Sequence, residues 1–144
     1  MFAVDTNILI DAVNVDSPFY PRCRALADGW TRQPSGWFLT WGVVYEFLRV
    51  STHRNIFRNP LSAAESWAFV ESLMASPGLR MLVPTERHRT VAGEVLRELP
   101  HLAGNIMHDA ETAILMREHG VRRIYTRDLG FHRFPFLETI DPTV

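Results

Sequence analysis

The chain has 144 residues, 47% hydrophobic and 22% charged, with a formal net charge of -1. That length and balance describe one globular domain spanning residues 1–144, able to bury a core without cross-links, and exclude a strongly basic, indiscriminate nucleic-acid binder. A single cysteine, Cys23, excludes an intrachain disulfide and a cysteine-based zinc site, and no apolar run approaches the ~18 residues of a membrane span.

The N-terminus lacks a basic start followed by an apolar stretch, because Asp5 arrives too early for a secretory leader. A cytoplasmic protein that does not enter a membrane is the expectation. All 15 basic residues are arginine. Arginine suits bidentate recognition of phosphate and carboxylate, although a GC-rich coding sequence explains the bias equally well.

Taken in order, the elements alternate. Residues 1–4 read as a strand. Residues 7–14 read as a helix ending before Asp16-Ser17-Pro18, and residues 19–32 as a second helix. After the break at 33–36, Trp37-Phe38-Leu39-Thr40 reads as a strand buried on both faces, followed by a helix over 42–53. Ser62 and Glu65 form a capping-box signature opening a helix to about residue 75. Residues 80–83 form a third strand, and Thr85 is placed to cap a helix to about 99. Residues 105–119 form a strong helix ended by Gly120. Residues 123–125 and 137–140 complete about five strands. The alternation predicts an α/β fold with a mostly parallel sheet flanked by helices.

Four acids fall in comparable places. Asp5 and Asp128 directly follow the first and fourth strands, at the edge where open α/β sheets bind ligands. Glu46 lies on the helix after the second strand and shares its side, at about 100° per residue, with Gly42, Val43, Arg49 and Val50. Asp109 lies early in the helix before the fourth strand, among Asn105, Ile106, Thr112, Ala113 and Met116, while Glu111 points the opposite way.

Each acid has an ordinary structural reading: a helix cap for Asp5 and Asp128, an i,i+3 pair with Arg49 for Glu46, a helix-dipole partner for Asp109. Four such accidents at one sheet edge explain the pattern less well than one shared site. Clustered carboxylates raise one another's pKa unless a cation neutralises them, and all-oxygen ligation suits Mg²⁺ or Mn²⁺. The metal set predicted is Asp5, Glu46, Asp109 and Asp128. Thr6, Asn7 and Thr126 stand next to these acids in sequence and can orient them or hold a water, or serve only as helix and strand termini. The six histidines show no ligand-pair spacing, and His108 is rotated about 100° from Asp109.

Asp5-Thr6-Asn7 after an N-terminal strand, Glu46, the stretch Asn105 to Gly120 including Asp109 and Glu118-His119-Gly120, and Thr126-Arg127-Asp128 with Phe131 resemble the PIN-domain ribonucleases. The likeness is greatest to VapC-type toxins of bacterial toxin–antitoxin pairs, in their mycobacterial branch. It covers essentially the whole chain.

The resemblance implies a Mg²⁺- or Mn²⁺-dependent endoribonuclease. Asp5 and Asp109 would be the principal metal ligands, Glu46 and Asp128 would complete the pocket, and Asn7 and Thr126 would support it from behind. It also implies a homodimer held by an antitoxin whose tail blocks the site. One departure stands out: many relatives carry a further acid two residues after the position of Asp128, where this chain has Gly130.

Two basic groups flank the acids: Arg49, His53, Arg54 and Arg58 after Glu46, and Arg122, Arg123, Arg127, His132 and Arg133 around Asp128. Arg127, then Arg49 and Arg54, are expected to hold RNA phosphates. Trp30, Trp37, Trp41 and Trp67 are expected in core or dimer packing, with an antitoxin groove or base stacking as the alternative. Two rival functions remain: a catalytically inactive PIN-like binding protein, and a metal phosphohydrolase acting on DNA or small phosphate esters.

Overall fold

The computed structural model describes residues 1–144. Five parallel strands form one sheet in the order β3-β2-β1-β4-β5: β1 Phe2–Val4, β2 Trp37–Thr40, β3 Leu79–Leu82, β4 Arg123–Tyr125 and β5 Glu138–Ile140. Six α-helices connect or cover them: α1 Thr6–Val13, α2 Tyr20–Trp30, α3 Trp41–Ser51, α4 Ala63–Met74, α5 His88–Glu98 and α6 Ile106–Glu118. None is long and apolar enough to cross a membrane.

Strands of three or four residues alternate their side chains between two cores. Val4, Trp37, Leu39 and Leu79 face a layer supplied by Ile8, Leu9 and Ala12 of α1, Trp30 of α2, Val44 and Phe47 of α3 and Leu73 of α4. Ala3, Leu82 and Ile124 face the opposite layer, built from Ala113 and Met116 of α6 with Phe131 and Phe134. The register pairs Ala3 with both Phe38 and Ile124, so β1 lies at the centre of the sheet.

The chain runs outward from β1 through β2 to β3, then crosses back to lay β4 against the other side of β1. The loops leaving β1 and β4 therefore diverge, and the crevice between them is the switch point at which ligands bind in such sheets.

Most local signals behave as expected. Ser62 and Glu65 form a reciprocal capping box. Gly120 ends α6 with φ +73°, a conformation open to glycine at little cost. Thr85 does not cap α5. The helix begins three residues later, at His88, with Arg87 at its N-cap position; the backbone N–H of Thr85 is bound by the buried carboxylate of Glu118, which also takes His88 Nδ1 at 2.6 Å. Arg87 N–H donates instead to Thr85 Oγ1 at 3.1 Å. Gly78 is fixed by close approach, since a Cβ there would run into the carbonyl oxygens of Gln33 and Ser35.

Ile124 is fully buried at the middle of β4. Ile124→Ala is expected to cost about 2–5 kcal/mol, by lost transfer energy plus an unfilled cavity. Urea unfolding checks this: the midpoint falls while the slope holds.

Candidate active site

The divergence of the loops after β1 and β4 decides which side chains meet. Asp5 occupies the N-cap position of α1, with Thr6 N–H on its Oδ1 at 2.7 Å. Its ordinary capping role is therefore real. Its other oxygen does different work. Oδ2 accepts from Thr126 Oγ1 at 2.7 Å and from Asn7 Nδ2 at 3.0 Å, across the gap between the strands.

Thr126 is the hub of this contact. Its hydroxyl donates to Asp5 and accepts from Asn7 Nδ2 at 3.3 Å and from the Asp128 N–H at 2.9 Å. Asn7 closes the loop by accepting Arg127 N–H on its Oδ1 at 3.2 Å. Thr6 sends its hydroxyl toward Val43 O on α3, at 3.4 Å, and not toward the acids. Of the three predicted supporting residues, Asn7 and Thr126 bind the acid Asp5 through their side chains, while Thr6 does so through its backbone.

Asp128 caps the 3₁₀ turn Leu129–Arg133 by accepting Gly130 N–H on Oδ1 at 2.7 Å. Asp109 reaches the same place from the first turn of α6. A Cβ added at Gly130 would lie 3.0 Å from Asp128 Oδ1, 3.4 Å from Asp109 Oδ2 and 3.1 Å from Ile106 Cδ1. A side chain at position 130 would therefore crowd both carboxylates, and glycine lets Asp128 and Asp109 approach this stretch of backbone closely.

The electrostatics follow from this crowding. Burial is the largest influence on Asp5 and pushes its carboxyl above the usual range. The hydrogen bonds from Thr126 and Thr6 oppose burial, while the charges of Asp128 and Glu46 add to it. Asp109 is pushed up to about 7, first by burial, then by the charges of Asp5 and Asp128, with relief only from His108. His108 is exposed, as expected of it, yet it also lowers Glu46. It therefore stands between two of the acids, a relation that helical rotation alone did not reveal.

Glu46 stands at the rim of the cluster. Its exposed carboxylate lies in the fork of Arg49, with Nε at 2.9 Å and a terminal nitrogen at 2.7 Å, the surface pair that i,i+3 spacing allows. Arg49 is the chief reason its carboxyl sits below the usual range. Glu46 influences Asp5 by charge from the rim and shares no hydrogen bond with the other acids.

Arg127 is paired within the protein. Its Nε and a terminal nitrogen bind Asp11 Oδ2 at 2.8 and 2.6 Å, and its guanidinium lies 4.3 Å over the ring of Phe19. Asp11 is buried, so it holds the cation that was expected to meet phosphate. Arg49 is engaged with Glu46. Arg54 alone of the three expected phosphate ligands is exposed and outside an ion pair. Among the tryptophans, Trp30 and Trp37 are buried as expected. Trp67 and Trp41 are exposed, and Trp41 packs against Tyr45 one turn along α3 with ring centroids 6.3 Å apart.

No three His, Cys, Asp or Glu side chains stand close enough together to form a ready ligand set. The donor chemistry nonetheless fits a hard cation: three carboxylates, no nitrogen or sulfur ligand, and two acids whose carboxyls are pushed up first by burial and further by the charges of their neighbours.

A parallel α/β sheet bearing such acids at its switch point is the architecture of a PIN domain, and the chain belongs to that family: the PIN domain model matches residues 2–137. The chain is 28% identical over 142 residues to "Ribonuclease VapC48" of Mycobacterium tuberculosis, covering 96% of this chain and 94% of that protein. It is 30% identical over 134 residues to "Ribonuclease VapC43" of the same species, covering 93% and 90%. Among solved structures it resembles Mycobacterium tuberculosis VapC20, described as a sarcin-ricin loop cleaving toxin, with a TM-score of 0.65 at 20% identity and coverage of 92% and 93%. It also resembles VapBC2 from Rickettsia felis, with a TM-score of 0.63 at 17% identity and coverage of 96% of each chain.

The raised pKa of Asp109 has a definite sign in stability. The folded chain holds this proton more tightly than the unfolded chain does, so the carboxyl contributes no penalty below about pH 4 and an increasing one as pH rises to about 7. Asp109→Asn removes that penalty. In metal-free protein at pH 8 the variant is expected to be more stable by about 1–2 kcal/mol after allowance for solvent screening, with the gap closing toward pH 4. Thermal unfolding across pH measures it.

Proposed function

We propose that this chain is a divalent-metal-dependent endoribonuclease and the toxin of a toxin–antitoxin pair, acting in the cytoplasm. The observation that carries the reading is the set of Asp5, Asp109 and Asp128 beside the sheet's switch point, close enough that the charges of neighbouring acids push Asp5 and Asp109 above the usual carboxyl range, beyond what burial does. The names of the ribonuclease relatives support RNA as the substrate. The likeness to chains solved in VapBC assemblies supports a protein antitoxin as partner. A homodimer belongs to the same reading.

Asp5, Asp109 and Asp128 would hold Mg²⁺ or Mn²⁺, with Glu46 contributing from the rim. A bound cation would neutralise a phosphate and ease the ionisation of water. The protein's own part is to orient. Thr126 and Asn7 fix Asp5 Oδ2 by two hydrogen bonds. The Gly130 N–H fixes Asp128 Oδ1, and the bare backbone at Gly130 leaves room for the Asp128 and Asp109 carboxylates to stand close beside it. Hydrolysis adds a water oxygen to phosphorus, breaks the P–O3′ bond and returns a proton to the departing oxygen, leaving a 5′-phosphate and a 3′-hydroxyl. Arg54 is the exposed arginine placed to meet RNA phosphate.

The test is cleavage of single-stranded RNA with added Mn²⁺. Asp5→Asn and Asp109→Asn are each expected to lower kcat at least about 100-fold, the scale of losing a transition-state contact, and excess EDTA to abolish cleavage by the native chain. Undiminished cleavage by either variant removes its assigned role. Cleavage of DNA or of a small phosphate ester in preference to RNA would favour the phosphohydrolase alternative.

A further inference from the structure

We infer that the Asp11–Arg127 ion pair is a positioning device for the acidic site: it seats the Thr126-Arg127-Asp128 turn on α1 and so fixes where the carboxylates of Asp5 and Asp128 stand. As a statement about catalysis this rests on the ribonuclease reading; as a statement about the turn it does not.

The geometry is a double grip. Asn7 and Asp11 lie four residues apart on one face of α1. Asn7 Oδ1 takes the backbone N–H of Arg127 at 3.2 Å, and Asp11 Oδ2 takes its side chain at 2.8 and 2.6 Å. The same residue is thus held at both ends by consecutive turns of one helix. Its sequence neighbours are the two residues that matter most: Thr126 donates to Asp5 Oδ2, and Asp128 begins the turn whose Oδ1 faces Asp109 across Gly130.

Asp11 is itself prepared for this work. Its other oxygen accepts Ser17 Oγ at 2.8 Å, Ser17 Oγ accepts Phe19 N–H at 3.1 Å, and the Phe19 ring supports the guanidinium from 4.3 Å. Three side chains, Asp11 of α1 with Ser17 and Phe19 of the α1–α2 loop, thus gather around the Arg127 cation. Asp11 is 5% exposed, where an isolated carboxylate would be costly, and pairing restores the balance. Such a pair is geometrically demanding: the bidentate fork fixes direction as well as distance.

Asp11→Asn keeps the shape and the acceptor for Ser17 but removes the charge that holds Arg127. The expected result is local. The amides of Arg127 and Asp128 should exchange with solvent about tenfold faster, as a loosened segment does, while those of Leu115 and Ile124 exchange as in the native chain. In RNA cleavage kcat should fall about 10- to 100-fold, the cost of a small misplacement, with KM within about twofold of native. Arg127→Lys should retain more of kcat than Arg127→Gln.

Native exchange at the two amides overturns the proposal, as does equal acceleration at all four, which would make the pair a general stabiliser. An altered KM and salt dependence with native kcat also overturns it, by making Arg127 an RNA ligand. If Asp11→Asn does not fold, Ser17→Ala removes the hydroxyl that binds Asp11 Oδ1 and takes the Phe19 N–H while leaving the ion pair itself intact, and the same two amides should exchange about threefold faster; unchanged rates refute the device. If the native chain cuts no RNA, the ribonuclease reading fails, and amide exchange alone decides the fate of the pair.

Discussion

Mutual repulsion of carboxylates at the centre of the sheet is the constraint around which this molecule is organised. Asp5 is buried, Asp109 is half-buried and Asp128 is close enough to disturb both. Left to themselves such groups would take up protons or separate. The fold prevents separation. The Thr126 hydroxyl and Asn7 amide lock Asp5, the Gly130 N–H locks Asp128, and α6 delivers Asp109 from the far face. The result is a cluster in which hydrogen bonds hold like charges near one another, an arrangement that is costly in the absence of a neutralising partner.

The sheet makes this economical in chain length. Strands of only three or four residues suffice because each is buried between two helical layers and alternates its side chains between them. Short strands put the catalytic edge close to the core, so Asp5 follows directly on Val4, and Thr126 on Tyr125. The residues that define the chemistry are thus fixed by the same backbone that defines the hydrophobic layers. The parallel pairing at Val4 and Tyr125 starts the two loops side by side.

Much of this was legible in the sequence. Apolar strands alternating with amphipathic helices gave the parallel sheet, the Ser62–Glu65 spacing gave a capping box, and Asp5 and Asp128 announced themselves by following strands. What escaped was pairing between distant residues. Arg127 and Asp11 are 116 positions apart, and nothing local shows that a buried acid on α1 waits for that arginine. Glu46 lay beside an apolar stripe, which favoured a site role, but an arginine at i+3 was the nearer partner. Thr85 looked like a helix cap, yet its hydroxyl serves the Arg87 N–H in the turn before α5, and its own N–H goes to Glu118, 33 residues later. Local pattern reads what a residue can do. Competition among partners, resolved only in three dimensions, decides what it does.

That last contact bears on how the site can adjust. Glu118 sits at the end of α6, 0% exposed, clamped to Thr85 and His88, while His119 Nε2 binds Val83 O at 2.7 Å. The helix that presents Asp109 at its first turn is therefore anchored like a beam built into a wall at its other end. Rolling that beam about its axis would tear out the anchor. Any tightening of the acids around an incoming ion must come from torsions within the Asp109 side chain and from the Asp128 turn, leaving the helical frame at rest.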